Sequence, residues 1–506
     1  MCICVYVCMT MTLFPLSPYR YFGTDGIRGP YGTFPITDEC AFLLGKALVM
    51  FSKSYYPQIS PTIMLCYDGR SSGIKLVEAI AQGIQDRKGS TIMLGLAPTP
   101  VASYLCSRLS LQWAVVVSAS HNPASDNGFK IFTHSGEKLS DGQQSSLEAI
   151  LHSLVASPTS SLSFALFRDQ NISSIRLYAD CRKIDMYGSA LQEYFFLRAK
   201  RLLDQLPATF SKHIIVDCAH GAASLLAPNV LAKISSAKLT FSCIHTSPGQ
   251  DNINRGCGAT SLQSLQTVVR EKEAHLGIAL DGDGDRMVCV DGKGEVIPGS
   301  VLMTQLAIWL HGHQKLAHSI FVSTIMANGG IENTLHGHGI SLVRSAVGDR
   351  YLWEDMKKHG ASFGGEPSGH LIFADFSVTG DGLLAGLNVI LYSLEQWVWD
   401  SHFCWSQCSR RIPLWPCCEI SFDIPQKISL EEMPTLKEHI EYIQNTFKGR
   451  LIWRYSGTEK KLRILVEGPY EEGSQNIQAL AQELKTMSLK AIHQATHISE
   501  ESFHPP

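Results

Sequence analysis

The sequence contains no C-x-x-C pair, although it has fifteen cysteines among its 506 residues. Their odd number and scattered spacing argue against a disulfide framework and a structural zinc site, and favour a reducing, cytoplasmic setting. No apolar run is long enough to span a membrane. The formal net charge of −3 gives no general attraction to nucleic acid or to an anionic membrane. An anionic ligand must therefore be held by a local group of basic side chains and backbone N–H groups.

Two further motifs are missing, and each absence excludes a class of site. There is no G-x-x-x-x-G-K-[ST] stretch, so an NTP-binding P-loop is not supported. The serine loop described below lacks G-x-S-x-G, which argues against the nucleophile elbow of a hydrolase.

The most informative stretch that is present has three carboxylates alternating with glycine, at Asp281, Asp283 and Asp285, followed by Arg286. It follows an apolar run that predicts a buried strand. Like charges this close repel each other, so the pattern favours a divalent cation such as Mg²⁺ over the alternative of a solvated acidic turn. An EF-hand is excluded because its sixth and twelfth positions would be Arg286 and Gly292.

Apolar runs and amphipathic stretches alternate along most of the chain, in three cycles that begin near Thr62, His213 and Ile320. This alternation predicts βαβ units and three related domains with mostly parallel sheets. The last portion predicts a smaller α+β domain. We expect residues 1–18 to be an N-terminal extension and place the four domains at 19–181, 182–296, 297–411 and 412–506.

Other distinctive loops also follow predicted strands, where ligands of open α/β sheets bind. Ser120 lies next to His121 after the strand that ends at Val117, and is a candidate nucleophile. Lys130 is a candidate general acid or base. Glycines bracket Glu366, Ser368 and His370, a set that can grip sugar hydroxyls. Each of these stretches could equally be an ordinary turn.

A loop near the end of the chain has the composition of a phosphate cradle. Its members are Arg454, Ser456, Gly457 and Thr458, with Arg463 as a further contributor, and a plain hairpin loop is the alternative. Two more glycine-bracketed arginines, Arg28 and Arg70, read either as site residues or as structural turns.

Taken in this order, the loops resemble those of the α-D-phosphohexomutase family, whose members carry a serine loop, a D-G-D-G-D-R loop, a G-E-x-S-G-H loop and an R-x-S-G-T loop on four successive domains. The resemblance extends from about Tyr21 to the last helix. It implies an α/β fold of three related mixed α/β domains and a smaller α+β C-terminal domain around a central cleft. Pro367, Tyr455, Lys460 and His220 are less typical of the family.

The resemblance also implies the roles of the site residues. Ser120 would be carried as phosphoserine, which activity requires. One Mg²⁺ per subunit would be bound by Asp281, Asp283, Asp285 and a phosphate oxygen on Ser120. The moving phosphoryl group would be steadied by Arg28, His121 and Lys130, with Lys130 or His370 relaying protons. The sugar phosphate would be bound by Glu366, Ser368, Arg454, Ser456, Gly457, Thr458 and Arg463, and the fourth domain would hinge over it.

The implied reaction interconverts glucosamine 6-phosphate and glucosamine 1-phosphate through a bisphosphate intermediate, a step toward UDP-N-acetylglucosamine and the cell envelope. Alternatives are the same chemistry on glucose or mannose phosphates, a non-catalytic sugar-phosphate sensor, and a metal-dependent phosphatase. The expected partner is a small hexosamine phosphate, with no nucleic acid or membrane, and the protein is expected to be a monomer or homodimer.

Overall fold

The computed structural model describes residues 21–23, 25–157, 180–249, 251–456 and 460–501, and the side chains of these residues up to 496. The chain forms two compact units. One comprises the residues up to 326 together with 340–409, and the other comprises 327–339 and the residues from 410 onward. Among the described residues, no helix is both long and apolar enough to cross a membrane.

The three sheets of the first unit contain the same arrangement of four strands. The earliest of the four in the chain lies between the second and the third and is parallel to both, and the fourth is antiparallel to the third. The first sheet runs β3-β2-β4-β5-β1, with β1 added antiparallel to β5. Its strands are β1 (Ile27–Pro30), β2 (Thr62–Tyr67), β3 (Ser90–Leu96), β4 (Trp113–Val117) and β5 (Asp126–Thr133).

The second and third sheets repeat this order as β7-β6-β8-β9 and β11-β10-β12-β13. Their strands are β6 (Lys212–Asp217), β7 (Leu239–Ile244), β8 (Leu276–Leu280), β9 (Met287–Asp291), β10 (Ile320–Thr324), β11 (Ser341–Ser345), β12 (Phe363–Gly365) and β13 (Leu371–Phe373). The repetition confirms the prediction of three related mixed α/β domains.

Helices pack against these sheets, which is why the central strands β4 and β8 are buried along their whole length. The first helix begins at Asp38, and the Thr37 side chain caps it by accepting a hydrogen bond from the Cys40 N–H. The described α-helices of the first unit are Asp38–Tyr55, Gly73–Asp86, Thr99–Arg108, Asp141–Val155, Cys181–Gln205, Ala223–Ile234, Gln263–Glu271, Gly299–Gly312, Asp349–His359 and Gly382–Trp399, and the helix Ser406–Arg411 crosses into the second unit.

The second unit is built on an antiparallel sheet, as the α+β prediction requires. Its order is β14-β16-β15, with β14 (Cys417–Asp423), β15 (Arg450–Tyr455) and β16 (Lys461–Glu467). Leu462, Ile464 and Val466 alternate toward a core that the accompanying helices cover. These helices are Pro434–Thr446 and Ser474–Glu501, and the unit also contains the helix Ile331–Gly337.

Candidate active site

The serine loop follows β4 and holds Ser120 in an unusual backbone conformation. Ser120 has a φ of 53° and is completely buried. Its N–H donates to Ser118 Oγ at 2.8 Å, and Ser118 Oγ donates in turn to Asp68 Oδ2 at 2.6 Å. A left-handed conformation at a residue with a Cβ costs about 1–2 kcal/mol. The surrounding hydrogen bonds are what make this conformation stable.

Arg70, the second of the two glycine-bracketed arginines, holds the backbone of that loop in place. The guanidinium is fully buried and pairs with Asp68 through Nε at 2.9 Å. Its Nη2 donates to the carbonyl oxygens of Ser120 and Asn122, each at 2.9 Å. Its Nη1 donates to the carbonyls of Pro123 and Asp126. Arg70 therefore fixes the backbone of the serine loop, and its role extends beyond a local turn.

The metal loop follows β8 and brings its carboxylates to the serine hydroxyl. Ser120 Oγ donates to Asp281 Oδ2 at 2.6 Å, although the two residues are 161 positions apart in sequence. One carboxylate oxygen from each of the three aspartates lies within 4.8 Å of the others, and all three side chains are buried. A Cβ at Gly282 would come within 2.7 Å of the Ser120 carbonyl oxygen, so the two loops can approach only because this position is glycine.

Lys130 supplies most of the positive charge within the triad. Its buried ammonium donates to Asp283 Oδ2 at 2.6 Å and to Asp285 Oδ2 at 2.7 Å. Burial opposes a charged lysine, but Asp283 and Asp285 raise the pKa of Lys130 above its usual value. The two carboxylates therefore favour the charged form of Lys130 in this arrangement, and its role as general acid or base stays a prediction.

The donor set of the triad fits a hard divalent cation. Asp283 Oδ1 and Asp285 Oδ1 are buried and make no hydrogen bond to any part of the chain that the structure describes. Burial, followed by the charges of Asp285 and Asp283, raises the pKa of Asp281 well above its usual range. A carboxyl group crowded in this way has an excess of negative charge nearby, which Mg²⁺ would neutralise through oxygen ligands.

His121 and Arg28 border the serine and the triad. His121 Nδ1 lies 3.4 Å from Ser120 Oγ. Burial, with Arg286 and Arg28 nearby, lowers the pKa of His121 to about 4, so the ring is neutral at physiological pH. Arg28 lies on β1, is paired with Asp25, and is near enough for its charge to act on all three aspartates. The predicted groups around the moving phosphoryl thus lie at one place.

The predicted sugar loop joins β12 to β13 and combines a buried carboxylate with an exposed hydroxyl. Glu366 is buried, and its Oε1 accepts from the Gly348 N–H at 3.2 Å. Ser368 is exposed and donates to Glu366 Oε2 at 3.2 Å. Both remain predicted sugar ligands.

His370 is placed differently from the other predicted catalytic residues. The ring is 1% exposed, and its Nε2 accepts from the Gly380 N–H at 3.0 Å. Nδ1 then carries the proton of the neutral ring and lies 3.9 Å from Asp285 Oδ1. This placement suits His370 to holding Asp285 in position, and its proton-relay role stays a prediction.

Asn254 is a site residue whose contact the sequence did not predict. It lies in the loop after β7, and its Nδ2 donates to the Ser120 carbonyl oxygen at 2.8 Å. The Asn254 N–H donates to the Ala219 carbonyl at 3.0 Å, which ties this loop to the one after β6. Nothing in the sequence around Asn254 indicates a backbone carbonyl as its partner.

The predicted phosphate cradle lies in the second unit. Arg454 and Arg463 are directly opposite each other on β15 and β16. Like charges in facing positions are unfavourable in a sheet, so the pair suits an anionic ligand. Ser456 is buried, and its carbonyl accepts from Lys427 Nζ at 2.6 Å. Gly457 and Thr458 lie outside the described residues.

The first unit therefore combines a strained serine, a buried carboxylate triad and adjacent basic groups. A hydroxyl in contact with a carboxylate that can hold a divalent cation is suited to phosphoryl transfer to and from serine. This defines the class of protein as a phosphoryl-transfer enzyme with a carboxylate site that can hold a metal ion.

Comparison with known proteins gives the family. The models of phosphoglucomutase/phosphomannomutase α/β/α domains I, II and III match residues 19–156, 192–294 and 298–396. A curated phosphoglucosamine mutase of Bartonella henselae is 37% identical over 457 residues, which cover 90% of this chain and 94% of the relative. The one from Thermodesulfovibrio yellowstonii is 33% identical and covers 93% and 99%. The chain belongs to the phosphoglucomutase/phosphomannomutase family, the α-D-phosphohexomutases that its loops resemble.

Solved structures agree on the fold. A phosphoglucomutase/phosphomannomutase family protein from Burkholderia thailandensis matches with a TM-score of 0.68 at 19% identity, covering 95% of this chain and 98% of that one. An N-acetylphosphoglucosamine mutase of Aspergillus fumigatus, solved in complex with GlcNAc-6P and magnesium, matches with a TM-score of 0.61 at 17% identity, covering 94% and 96%.

Proposed function

We propose that this protein is a phosphoglucosamine mutase, an isomerase that interconverts glucosamine 6-phosphate and glucosamine 1-phosphate. The observation that carries the proposal is the contact of Ser120 Oγ with Asp281, on a chain that aligns over about nine-tenths of its length with phosphoglucosamine mutases. The same chemistry on glucose or mannose phosphate is the second candidate, because the family models are named for those sugars.

In the proposed reaction, a phosphate carried on Ser120 passes to the free hydroxyl of the sugar, and the other phosphate of the resulting bisphosphate returns to Ser120. Asp281, Asp283 and Asp285 would hold Mg²⁺, which neutralises charge on the transferring group. Arg28 lies close enough to share that charge. The proton that the sugar hydroxyl loses and the proton that the departing oxygen of Ser120 gains would be relayed by Lys130 or His370.

The sugar must be bound in two orientations, since either phosphate can face Ser120. We assign the grip on its hydroxyls to Glu366 and Ser368, whose carboxylate and hydroxyl oxygens already contact each other. The phosphate that is not reacting is assigned to Arg454, Ser456 and Arg463, with Gly457 and Thr458. The facing arginines support this assignment because two adjacent guanidinium groups match the charge and geometry of one phosphate.

Turnover of three sugar phosphates tests the substrate. We expect kcat/KM for glucosamine 1-phosphate to exceed the values for glucose 1-phosphate and mannose 1-phosphate; a clear preference for either of these two would reject the amino-sugar assignment. Ser120→Ala should abolish isomerisation, whereas full turnover by it would reject the phosphoserine mechanism. Release of inorganic phosphate equal to substrate loss would instead indicate a phosphatase.

The phosphorylation of Ser120 has its own test. Intact-mass measurement of the wild-type protein after incubation with a hexose bisphosphate should show the added mass of one phosphoryl group, and Ser120→Ala should not gain it. A phosphoryl group that persists on the variant would place the modification elsewhere.

A further inference from the structure

A second group of metal-binding side-chain types lies at the carboxyl edge of the second sheet. Asp217 ends β6, His245 follows β7 directly, and Cys257 lies in the loop that leads to the helix Gln263–Glu271. One ligand atom from each residue lies within 4.8 Å of the other two. Three separate segments supply the group, so the fold brings these residues together and their closeness is not a result of sequence proximity.

The carboxylate of this group is held in place before any ligand binds. Asp217 and Cys257 are completely buried. Asp217 Oδ1 accepts from the Ala219 N–H and Oδ2 from the Gly258 N–H, both at 2.8 Å. Each oxygen retains a second lone pair, so the carboxylate can still bind a cation.

The His245 ring faces Asp217, so the imidazole and the carboxylate can share either a proton or a cation. Its Nε2 lies 3.3 Å from Ser264 Oγ. Its Nδ1 lies 3.0 Å from Asp217 Oδ1 but makes no well-directed hydrogen bond among the described residues. If the Nε2 proton is donated to the serine, the Nδ1 lone pair faces a carboxylate, which is repulsive unless a positive species lies near both. A hydrogen bond from the far nitrogen is the usual way in which proteins orient a metal-binding imidazole.

His245 and His220 both have left-handed backbone conformations, with φ values of 52° and 50°, and their rings lie 5.0 Å apart. Histidine, like asparagine and aspartate, occupies this region more often than most residues that have a Cβ.

We propose that Asp217, His245 and Cys257 bind a transition-metal ion of the zinc type, at a site separate from the aspartate triad. Oxygen, nitrogen and sulfur donors together suit Zn²⁺ or Co²⁺, whereas Mg²⁺ prefers oxygen alone. Tetrahedral zinc places neighbouring ligand atoms about 3.3–3.8 Å apart. His245 Nδ1 and Asp217 Oδ1, which lie 3.0 Å apart, would separate slightly, the three ligand atoms already lie within 4.8 Å of one another, and water would complete the fourth position.

Binding would connect two loops that support the reacting serine. Without metal, burial followed by the charge of Asp217 raises the pKa of the Cys257 thiol to about 12. The sulfur–metal bond therefore forms as the thiol proton leaves to solvent. The ion would join the end of β6 to the loop that carries Asn254, whose side chain bonds to the Ser120 carbonyl.

Cobalt titration of the full-length protein, with the triad saturated by Mg²⁺, tests the proposal. A thiolate ligand gives Co²⁺ a sulfur-to-metal charge-transfer band in the near ultraviolet, and the oxygen ligands of the triad cannot. We expect this band to saturate at about one equivalent per chain, and Cys257→Ser and His245→Asn to weaken cobalt binding at least about 100-fold, since loss of even an outer-shell partner costs 10–100-fold.

The controls distinguish the ligand set from other thiols. Cys243→Ser, on the neighbouring strand β7, should keep the band, and circular dichroism should show each variant folded. Asparagine tolerates the left-handed backbone, so His245→Asn decides the matter if Cys257→Ser does not fold. A wild-type protein without the band, or a band that persists in both ligand variants, would overturn the proposal.

Discussion

Replacing single aspartates of the triad by asparagine should separate their role in charge pairing from their role in metal binding. Asp285 Oδ2 accepts from the buried Lys130 at 2.7 Å, and Oδ1 lies 3.8 Å from Arg286 Nε. Within the part of the chain that the structure describes, the side chain of Asp281 accepts hydrogen bonds from the Ser120 hydroxyl and the Arg286 backbone N–H and from no other group. Asp285 therefore neutralises a buried positive charge, whereas Asp281 accepts hydrogen bonds from uncharged groups.

In the presence of a chelator, we expect Asp285→Asn to lower the free energy of unfolding by about 3 kcal/mol. This is the lower end of the cost of breaking a buried ion pair, because Lys130 keeps Asp283 as a partner. Asp281→Asn should cost about 1 kcal/mol or less, since the weakened hydrogen bond is offset by the repulsion that the substitution removes. The order of apparent Tm values is the measurement, because a chain with several domains need not unfold in one step.

Adding magnesium should raise the Tm of the wild type but not that of either variant. At 100 times its Kd, a ligand stabilises the folded state by about 2.7 kcal/mol, so the wild-type Tm should rise while neither variant shows this increase. Asp291→Asn is the matched control, since Asp291 is a buried carboxylate that accepts from the Lys293 and Glu295 N–H groups outside the triad. Equal losses for Asp281→Asn and Asp285→Asn in chelator, or a magnesium shift retained by Asp281→Asn, would refute the reasoning.

Three further predictions concern other parts of the chain. Asn254→Gly keeps the left-handed backbone but removes one hydrogen bond to Ser120; we expect kcat to fall by up to about 10-fold with KM unchanged in steady-state assays, and a change in KM alone would contradict this. Arg454→Gln should raise KM for the sugar phosphate more than it lowers kcat, and an unaltered KM would reject the phosphate assignment. Burial raises the pKa of Asp381 to about 6. Because the folded protein then keeps a proton that the unfolded chain has lost, the contribution of Asp381 to stability should fall by about 3 kcal/mol as pH rises from 3.8 to 6. The stability difference between the wild type and Asp381→Asn in a pH series of thermal melts should change over that range, and a constant difference would contradict the shift.

The repeated architecture was predictable because it has a repeated signature. Apolar runs such as Val115–Val117 and Leu276–Leu280 are strands covered on both faces, and each is followed by a polar loop at its carboxyl end. The convergence of Ser120 with Asp281 follows from that rule together with the family resemblance. The sheet of the second unit was predicted less completely, since β15 includes Arg454, which the sequence had suggested to be part of a loop.

The sequence did not predict which side chains donate hydrogen bonds to backbone carbonyls in the site. Arg70 and Asn254 donate hydrogen bonds to the carbonyl oxygen of Ser120. Such a partner cannot be recognised in the sequence, because every residue has a carbonyl.

Lys130 was expected beside the phosphoryl group, and the structure shows it paired with two carboxylates. The distinction depends on atomic positions, because a lysine near a phosphate and a lysine near a carboxylate have the same sequence signature.

The position of the reacting serine depends on two domains at once. Arg70, in the loop after β2 of the first sheet, and Asn254, in the loop after β7 of the second, donate to the same carbonyl of a residue whose backbone is strained. The strain costs about 1–2 kcal/mol, and strained residues persist only where several contacts enforce them. Packing of the first two α/β domains is therefore part of what presents the hydroxyl to Asp281. A substitution that loosens this packing without touching a substrate ligand should lower kcat before it changes KM.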